Sequence, residues 1–233
     1  MGVTEAARRR ELVTDGPSPV VPGRVGILGG TFDPIHVGHL AVAEQAREVL
    51  GFERLLFVPA GHPWQKAASV VSPIEDRLAM VGLAIAGHAV FELSTVEAFG
   101  TGPTYTVETV GALAAAEERA GREPDLWFIV STETFLALPT WREPERLLAT
   151  CRLVVVPRPG YPSPEPGWLE TRFPGSGGRA IFLDGPTLDV SARDIRERVR
   201  TGRSIRHLVP DAVAAYIGDH GLYKDPERRT DRS

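Results

Sequence analysis

The sequence predicts an α/β protein whose parallel sheet carries helices on both faces. Short apolar runs alternate along the chain with longer segments in which apolar residues recur every three or four positions. The short runs are typical of buried strands, and the longer segments are typical of amphipathic helices. Because strands that alternate with helices form covered parallel sheets, we expect a doubly wound, Rossmann-like sheet with flanking helices and a small helical C-terminal part.

The individual elements follow from these runs and from the residues that end them. Several predicted strands stop at glycine or proline, as the first does at Gly29-Gly30 and the second at Pro59. The predicted strands cover residues 24–28, 55–58, 90–93, 126–130, 153–156 and 181–183. The predicted helices cover residues 38–50, 73–86, 106–120, 143–150, 191–200 and 210–217, and a loop rich in glycine and proline is predicted at 160–179.

The composition excludes several functional classes. The chain has 233 residues, 42% of them hydrophobic, and its formal net charge of -4 argues against a general nucleic-acid-binding protein. Its one cysteine, Cys151, can form no intrachain disulfide, and no apolar run is long enough to span a membrane. We expect a cytoplasmic protein with one domain over residues 24–223, helical from about 190–223, between a flexible leader (1–23) and a flexible tail (224–233).

The segment after the first predicted strand carries the main chemical signal. It reads Gly29-Gly-Thr-Phe-Asp-Pro-Ile-His36-Val-Gly-His39-Leu and matches neither a Walker loop nor the Gly-x-Gly-x-x-Gly fingerprint. A double glycine lets a ligand approach the backbone, and a helix N-terminus attracts phosphate. Because His36 and His39 share one helix face and Gly38 leaves room between them, we expect both histidines to contact one anion.

Two other interpretations of this histidine pair are weaker. In the first interpretation the histidines are ordinary polar residues of a loop. In the second they are ligands of a zinc ion. A zinc site needs further ligands, and the segment contains no cysteine and no clear third ligand. The position of the pair, directly after a double glycine, favours phosphate binding.

The same segment resembles the signature of the nucleotidylyltransferase superfamily, His/Thr-x-Gly-His, and in its longer form that of bacterial nicotinate-nucleotide adenylyltransferases. The resemblance runs from about residue 24 to residue 223. It continues at residues 59–66, 102–106, 138–141, 156–160, 190–196, 202–210 and 221–223. It implies a transfer from ATP to nicotinate mononucleotide that gives deamido-NAD and pyrophosphate, with Mg²⁺ held mainly by the substrate phosphates.

The resemblance also implies a role for each matching residue. The implied catalytic residues, which offset charge on the triphosphate, are His36, His39, Lys66 and Arg196. The implied ATP-binding residues are Gly29, Gly30, Thr31, Phe32, Gly38, Ser131, Glu133, Arg158 and Ser191, of which Ser191 is expected to cap a helix. The implied contacts on the nicotinate side are Tyr105, Thr106, Trp141 and Arg142.

Two segments depart from the family pattern. Ser131-Thr132-Glu133 stands where the family has Gly-Ala-Asp, and Ala192-Arg193 stands where it has Ser-Thr. These departures leave open a related nucleotidylyltransferase that uses nicotinamide mononucleotide or another phosphate acceptor. They also leave open a sensor that binds nucleotide without turnover, and a homo-oligomer stays open as well.

Overall fold

A computed structural model of the chain describes residues 17–61, 72–100 and 102–224. It confirms the predicted α/β fold, because six parallel strands form one sheet with helices packed against it. The strands are β1 (Val21–Gly30), β2 (Phe52–Pro59), β3 (Phe91–Leu93), β4 (Asp125–Ser131), β5 (Arg152–Val156) and β6 (Ala180–Phe182). The helices are α1 (Val37–Leu50), α2 (Ile74–Ile85), α3 (Thr106–Arg119), α4 (Thr132–Leu136), α5 (Pro144–Thr150), α6 (Trp168–Arg172), α7 (Ala192–Arg200) and α8 (Asp211–Asp219).

The order of the strands, β3-β2-β1-β4-β5-β6, determines where a ligand can bind. The chain builds the sheet outward from β1, first through β2 and β3 on one side and then through β4, β5 and β6 on the other. In such a sheet the loops after the two central strands diverge and open a crevice at the carboxyl edge. The residues predicted to function after β1 and β4 therefore face a common crevice.

Two apolar layers, one on each face of the sheet, support this crevice. Alternate residues of a strand point to opposite faces. Leu28 and Phe57 pack in one layer with α1, α2, α7 and α8, whereas Ile27 and Val58 pack in the other with α3, α4 and α5. Within the described ranges, no helix has the length and apolar character needed to cross a bilayer.

The structure differs from the predicted elements in a few places. β1 begins at Val21, three residues before the predicted strand, and the N–H groups of Ser18 and Val21 donate to the carbonyl oxygens of Glu48 and Gly51 at the end of α1. Helices α4 and α6 were not predicted, and α6 lies inside the predicted loop. Both have five residues, which is too short for an apolar period to show in the sequence.

Gly26 lies where β1 packs against Phe52 of β2. A Cβ on Gly26 would lie 2.7 Å from the Phe52 ring, so we expect Gly26→Ala to lower the free energy of unfolding by about 1–3 kcal/mol through overpacking. A Cβ on Gly111 of α3 would meet no atom within 4 Å, so Gly111→Ala should raise the free energy of unfolding by about 0.5–1 kcal/mol. Urea unfolding measures both changes, and a shift of the same sign in the two variants would contradict the prediction.

Candidate active site

The loop between β1 and α1 opens at the carboxyl edge of the sheet. Gly29 is exposed, and Gly30 and Thr31 are half-buried, so the backbone of this segment is accessible from the crevice. Phe32 is buried and has a positive φ of 50°, and a Cβ on Gly30 would lie 3.1 Å from its ring. The glycine therefore allows the Phe32 ring to fold back beneath the loop.

His36 and His39 lie together at the start of α1. Their rings stack, with centroids 3.7 Å apart and 23° between the planes. The N–H of His36 donates to Nδ1 of His39 at 3.2 Å, which puts the proton of the neutral His39 ring on Nε2. The ring of Phe32 meets His39 edge-on at 4.9 Å. The structure thus brings the two predicted histidines together as one packed unit at a helix N-terminus.

His36 is 7% exposed, and its environment controls its charge. Within the described part of the chain, its Nδ1 is buried without a hydrogen-bond partner. Gly38 is close to this atom, since a Cβ there would lie 3.1 Å from it. Burial, together with the charge of Arg158, lowers the pKa of His36 to about 4. The imidazole is therefore neutral at pH 7 and adds no positive charge to the site.

Asp33 connects the same loop to the distal end of the described chain. Its carboxylate is 2% exposed and accepts from the Tyr223 hydroxyl at 2.6 Å and from the Ser72 N–H at 3.2 Å. Burial and the charge of Asp33 raise the pKa of Tyr223 well above its usual range, so the hydroxyl stays protonated. Because both carboxylate oxygens are engaged inside the protein, Asp33 positions the loop. No local sequence pattern marks this contact between residues 190 positions apart.

The second predicted helix N-terminus is that of α7. Ser191 caps it as expected, because its Oγ accepts from the N–H of Asp194 at 3.1 Å. Nη1 of Arg196 donates to the carbonyl oxygen of Asp33 at 2.6 Å and lies 3.9 Å from the Asp33 carboxylate. Arg196 therefore joins α7 to the histidine-bearing loop, next to the start of α1.

Ser131 and Glu133 follow β4 on the other side of the crevice. Oγ of Ser131 accepts from the N–H of Thr134 at 3.2 Å and caps α4, a role different from the predicted contact with ATP. The Glu133 carboxylate lies 2.9 Å from Nε of Arg158 and accepts from the Tyr161 hydroxyl at 2.8 Å. The structure thus brings Glu133 and Arg158 together and adds Tyr161, which no motif had indicated.

The residues predicted to hold the nicotinate ring lie around the start of α3. Tyr105 is the N-cap residue of α3, and Thr106 is its first residue. The guanidinium of Arg142 lies over the Tyr105 ring, 4.6 Å from its centroid. Trp141 is half-buried and packs edge-on against Phe128, with ring centroids 6.3 Å apart. The first contact brings Tyr105 and Arg142 together. Trp141 directly precedes Arg142 in the chain.

The remaining predicted catalytic residue, Lys66, lies outside the described residues, as does the whole of segment 62–71. Three arginines accompany the described site: Arg196 at the β1–α1 loop, Arg158 after β5, and Arg142 before α5. Among the residues that the structure describes, no group of three or more His, Cys, Asp or Glu side chains could hold a metal ion. Each of these arginines also lies close to a carboxylate, that of Asp33, Glu133 or Glu108, so the described site contains charged groups of both signs.

Comparisons with known proteins agree with this arrangement. A family model described as cytidylyltransferase-like matches residues 27–198. A relative from Dehalococcoides mccartyi is 43% identical over 200 residues, which cover 86% of this chain and 97% of the relative. A relative from Roseiflexus sp. is 46% identical over 200 residues, covering 86% of this chain and 98% of the relative. Both are named probable nicotinate-nucleotide adenylyltransferase.

The chain belongs to the nicotinate-nucleotide adenylyltransferase family. Its fold is also that of a solved structure, Plasmodium falciparum nicotinic acid mononucleotide adenylyltransferase complexed with NaAD. The TM-score is 0.69 at 17% identity, over 86% of this chain and 97% of that chain. The resemblance seen in the histidine motif is therefore confirmed along most of the chain.

The structure shows how the chain accommodates its departures from the family pattern. The side chain of Ser131, at the position of the family's glycine, caps helix α4. The longer carboxylate of Glu133 is held by Arg158 and Tyr161. Arg193 is exposed in the first turn of α7 and leaves the Ser191 cap intact.

The low pKa of His36 predicts how stability depends on pH. The folded pKa is about 4 and the ordinary value is 6.5, so the unfolded chain binds the proton first as the pH falls. The stability contributed by the neutral ring is complete above pH 6.5 and declines toward pH 4. Between pH 7 and pH 5 we expect His36 to account for a loss of about 2 kcal/mol in unfolding free energy.

Urea unfolding of the wild-type chain and of His36→Asn at pH 7 and pH 5 isolates this contribution. The variant should lose less free energy of unfolding than the wild type over the same interval. Equal losses in the two proteins would show that His36 has the same pKa in the folded and unfolded chains.

Proposed function

We propose that the chain transfers the adenylyl group of ATP to nicotinate mononucleotide, giving deamido-NAD and pyrophosphate, as a step in NAD biosynthesis. The observation that carries the proposal is the stacked pair His36 and His39 at the N-terminus of α1, in the crevice between β1 and β4. Membership of the nicotinate-nucleotide adenylyltransferase family supports it. The lone cysteine, buried and free, suits a cytoplasmic setting.

The proposed reaction needs no protein nucleophile. A phosphate oxygen of the mononucleotide attacks the α-phosphorus of ATP and forms the new P–O bond. The bond between the α-phosphorus and its bridging oxygen breaks on the opposite side, and pyrophosphate leaves with that electron pair. The protein contributes by positioning the reactants and by stabilising negative charge.

The start of α1 is the proposed site of the triphosphate. The N-terminus of the 14-residue helix α1 carries a positive potential that would favour an anion placed there. His39 would donate from Nε2, and the neutral ring of His36, which stacks on it, would line the same site. Arg196 adds a positive charge at the same loop, and Lys66 is proposed to add another. His39 thus orients phosphate, while the arginine offsets charge.

Magnesium would reach the site on the phosphates of ATP. The described residues offer no cluster of metal-binding side chains, and both oxygens of Asp33 already accept hydrogen bonds. This donor set fits an ion held by phosphate oxygens and water. The ion would neutralise charge on the departing pyrophosphate.

The residues after β4 and β5 are proposed to hold the adenosine. Glu133 would accept from ribose hydroxyls, and its carboxylate is already oriented by Tyr161 and Arg158. Ser131 shapes this side through its cap on α4, and Arg158 follows the strand that borders it. Gly29, Gly30, Thr31 and Phe32 would line the nucleotide with their backbone.

The start of α3 is proposed to hold the pyridine ring. The flat ring would stack on Trp141, and its carboxylate would accept from N–H groups near Thr106 and from the Arg142 guanidinium. The contact of Arg142 with the Tyr105 ring holds the cation beside α3. A cation at this point favours the acid over the uncharged amide.

Pyrophosphate release from ATP and Mg²⁺ tests the proposed function. We expect strong release with nicotinate mononucleotide and weak release with nicotinamide mononucleotide. His39→Ala should lower kcat by about 100-fold or more, because it removes a donor to the transferred phosphate. His220→Asn, at an exposed histidine after α8, is the matched control and should keep wild-type kcat. ATP binding without release for either mononucleotide would support a nucleotide sensor instead.

Arg142→Gln tests the acid specificity. We expect the KM for nicotinate mononucleotide to rise about 10-fold, with a smaller change for the amide, because one charge-assisted contact is lost. Arg146→Gln is the matched control, since Arg146 contacts the neighbouring Glu143 at 3.1 Å but lies over no aromatic ring in the described structure. An equal rise in KM for both mononucleotides would contradict a role in recognising the carboxylate.

A further inference from the structure

The reaction proposed above makes no use of one buried charge, that of Arg77. This side chain lies in the first turn of α2 and is 1% exposed. Nη1 donates to the carbonyl oxygens of Thr31 at 3.0 Å and Ala60 at 2.6 Å. Nη2 donates to the carbonyl of Gly61 at 3.1 Å, and Nε donates to that of Ser72 at 3.1 Å. One guanidinium thus binds the backbone of three separate segments.

These contacts hold in place the loop between β1 and α1, which we call the triphosphate loop. Thr31 lies between Gly30 and Phe32 in the loop that leads to the histidine pair, whereas Ala60 and Gly61 follow β2. A buried cation is tolerated only while its hydrogen-bond partners surround it. Each of these carbonyl oxygens is therefore held at a fixed distance from the others.

The same guanidinium is connected to the pyridine side. Gly61 packs so closely on Glu97 that a Cβ at position 61 would collide with the Glu97 carbonyl oxygen. The Glu97 carboxylate accepts from the hydroxyls of Thr104 at 2.8 Å and Thr109 at 2.6 Å. Thr104 directly precedes Tyr105, the N-cap residue of α3, and Thr109 lies in the first turn of that helix. A continuous path of contacts therefore runs from Arg77 to the proposed nicotinate site.

We propose that Arg77 is a positioning residue that sets the spacing between the triphosphate half and the pyridine half of the site. The proposal rests on the proposed function, because in-line attack needs the reacting phosphates aligned at about 3–3.5 Å. Arg77 touches neither substrate in this assignment. It acts through the backbone of Thr31 on one side and of Gly61 on the other.

Three variants test this role. Arg77→Met removes the charge at similar volume, Arg77→Lys keeps the charge but cannot reach all four carbonyls, and Gly61→Ala keeps the guanidinium but disturbs the contact with Glu97. We expect kcat for pyrophosphate release to fall about 10- to 100-fold, because a small misplacement is costly at the reacting atoms. The KM of each substrate should change less than about threefold, because each half keeps its own contacts. Should Arg77→Met not fold, the other two variants decide.

Arg54→Met is the matched control. Arg54 lies near the amino end of β2, away from the crevice, and pairs with Glu117 at 2.5 Å and with Glu92 at 3.6 Å. We expect Arg54→Met to have a lower melting temperature than the wild type. At temperatures where the variant is folded, its kcat should equal that of the wild type. If Arg77 had a purely structural role, Arg77→Lys would likewise show a lower melting temperature and an unchanged kcat.

Two outcomes would overturn the proposal. The first is a wild-type kcat in folded Arg77→Lys and Gly61→Ala, which would exclude a role in spacing the two halves. The second is a rise in the KM for ATP alone, which would confine the effect of Arg77 to the loop between β1 and α1. These outcomes leave the proposed function intact. A wild-type protein that releases no pyrophosphate with nicotinate mononucleotide would refute the proposed function, and the role of Arg77 with it.

Discussion

The buried carboxylate of Asp33 is the contact on which the geometry of the site depends. It accepts hydrogen bonds from residues 72 and 223, and its own carbonyl oxygen accepts one from Arg196. The start of α2, the middle of α7 and the segment after α8 thus meet at the loop between β1 and α1. A carboxylate at 2% exposure is stable only while those donors are present, so the loop adopts one shape.

The electrostatics of the site follow from this arrangement. Burial keeps His36 neutral and keeps Tyr223 protonated, so neither of these groups adds a charge at pH 7. The positive potential comes instead from the N-terminus of α1 and from Arg196 and Arg158. Because these sources are fixed by the backbone and by hydrogen bonds, the anion that we propose for this site would bind with little reorganisation.

Much of the architecture could be predicted from sequence, because each strand and long helix carries its own period of apolar residues. The histidine pair and the cap at Ser191 were also visible, since their signals lie within a few residues. The contacts of Glu133 with Tyr161 and of Asp33 with Tyr223 were not visible. They join residues 28 and 190 positions apart, and neither Tyr161 nor the matching segment 221–223 indicates its distant partner. The short helix α4 was missed because its five residues are too few for an apolar period to show in the sequence.

The partners of Arg77 also bear on how the sequence can vary over evolutionary time. The guanidinium binds carbonyl oxygens, which every amino acid possesses, so side chains at positions 31, 60 and 72 can change without loss of these hydrogen bonds. Pairwise covariation between position 77 and its partners is therefore expected to be weak, although the physical coupling is strong. Methods that infer contacts from correlated substitutions would pass over an anchor of this kind.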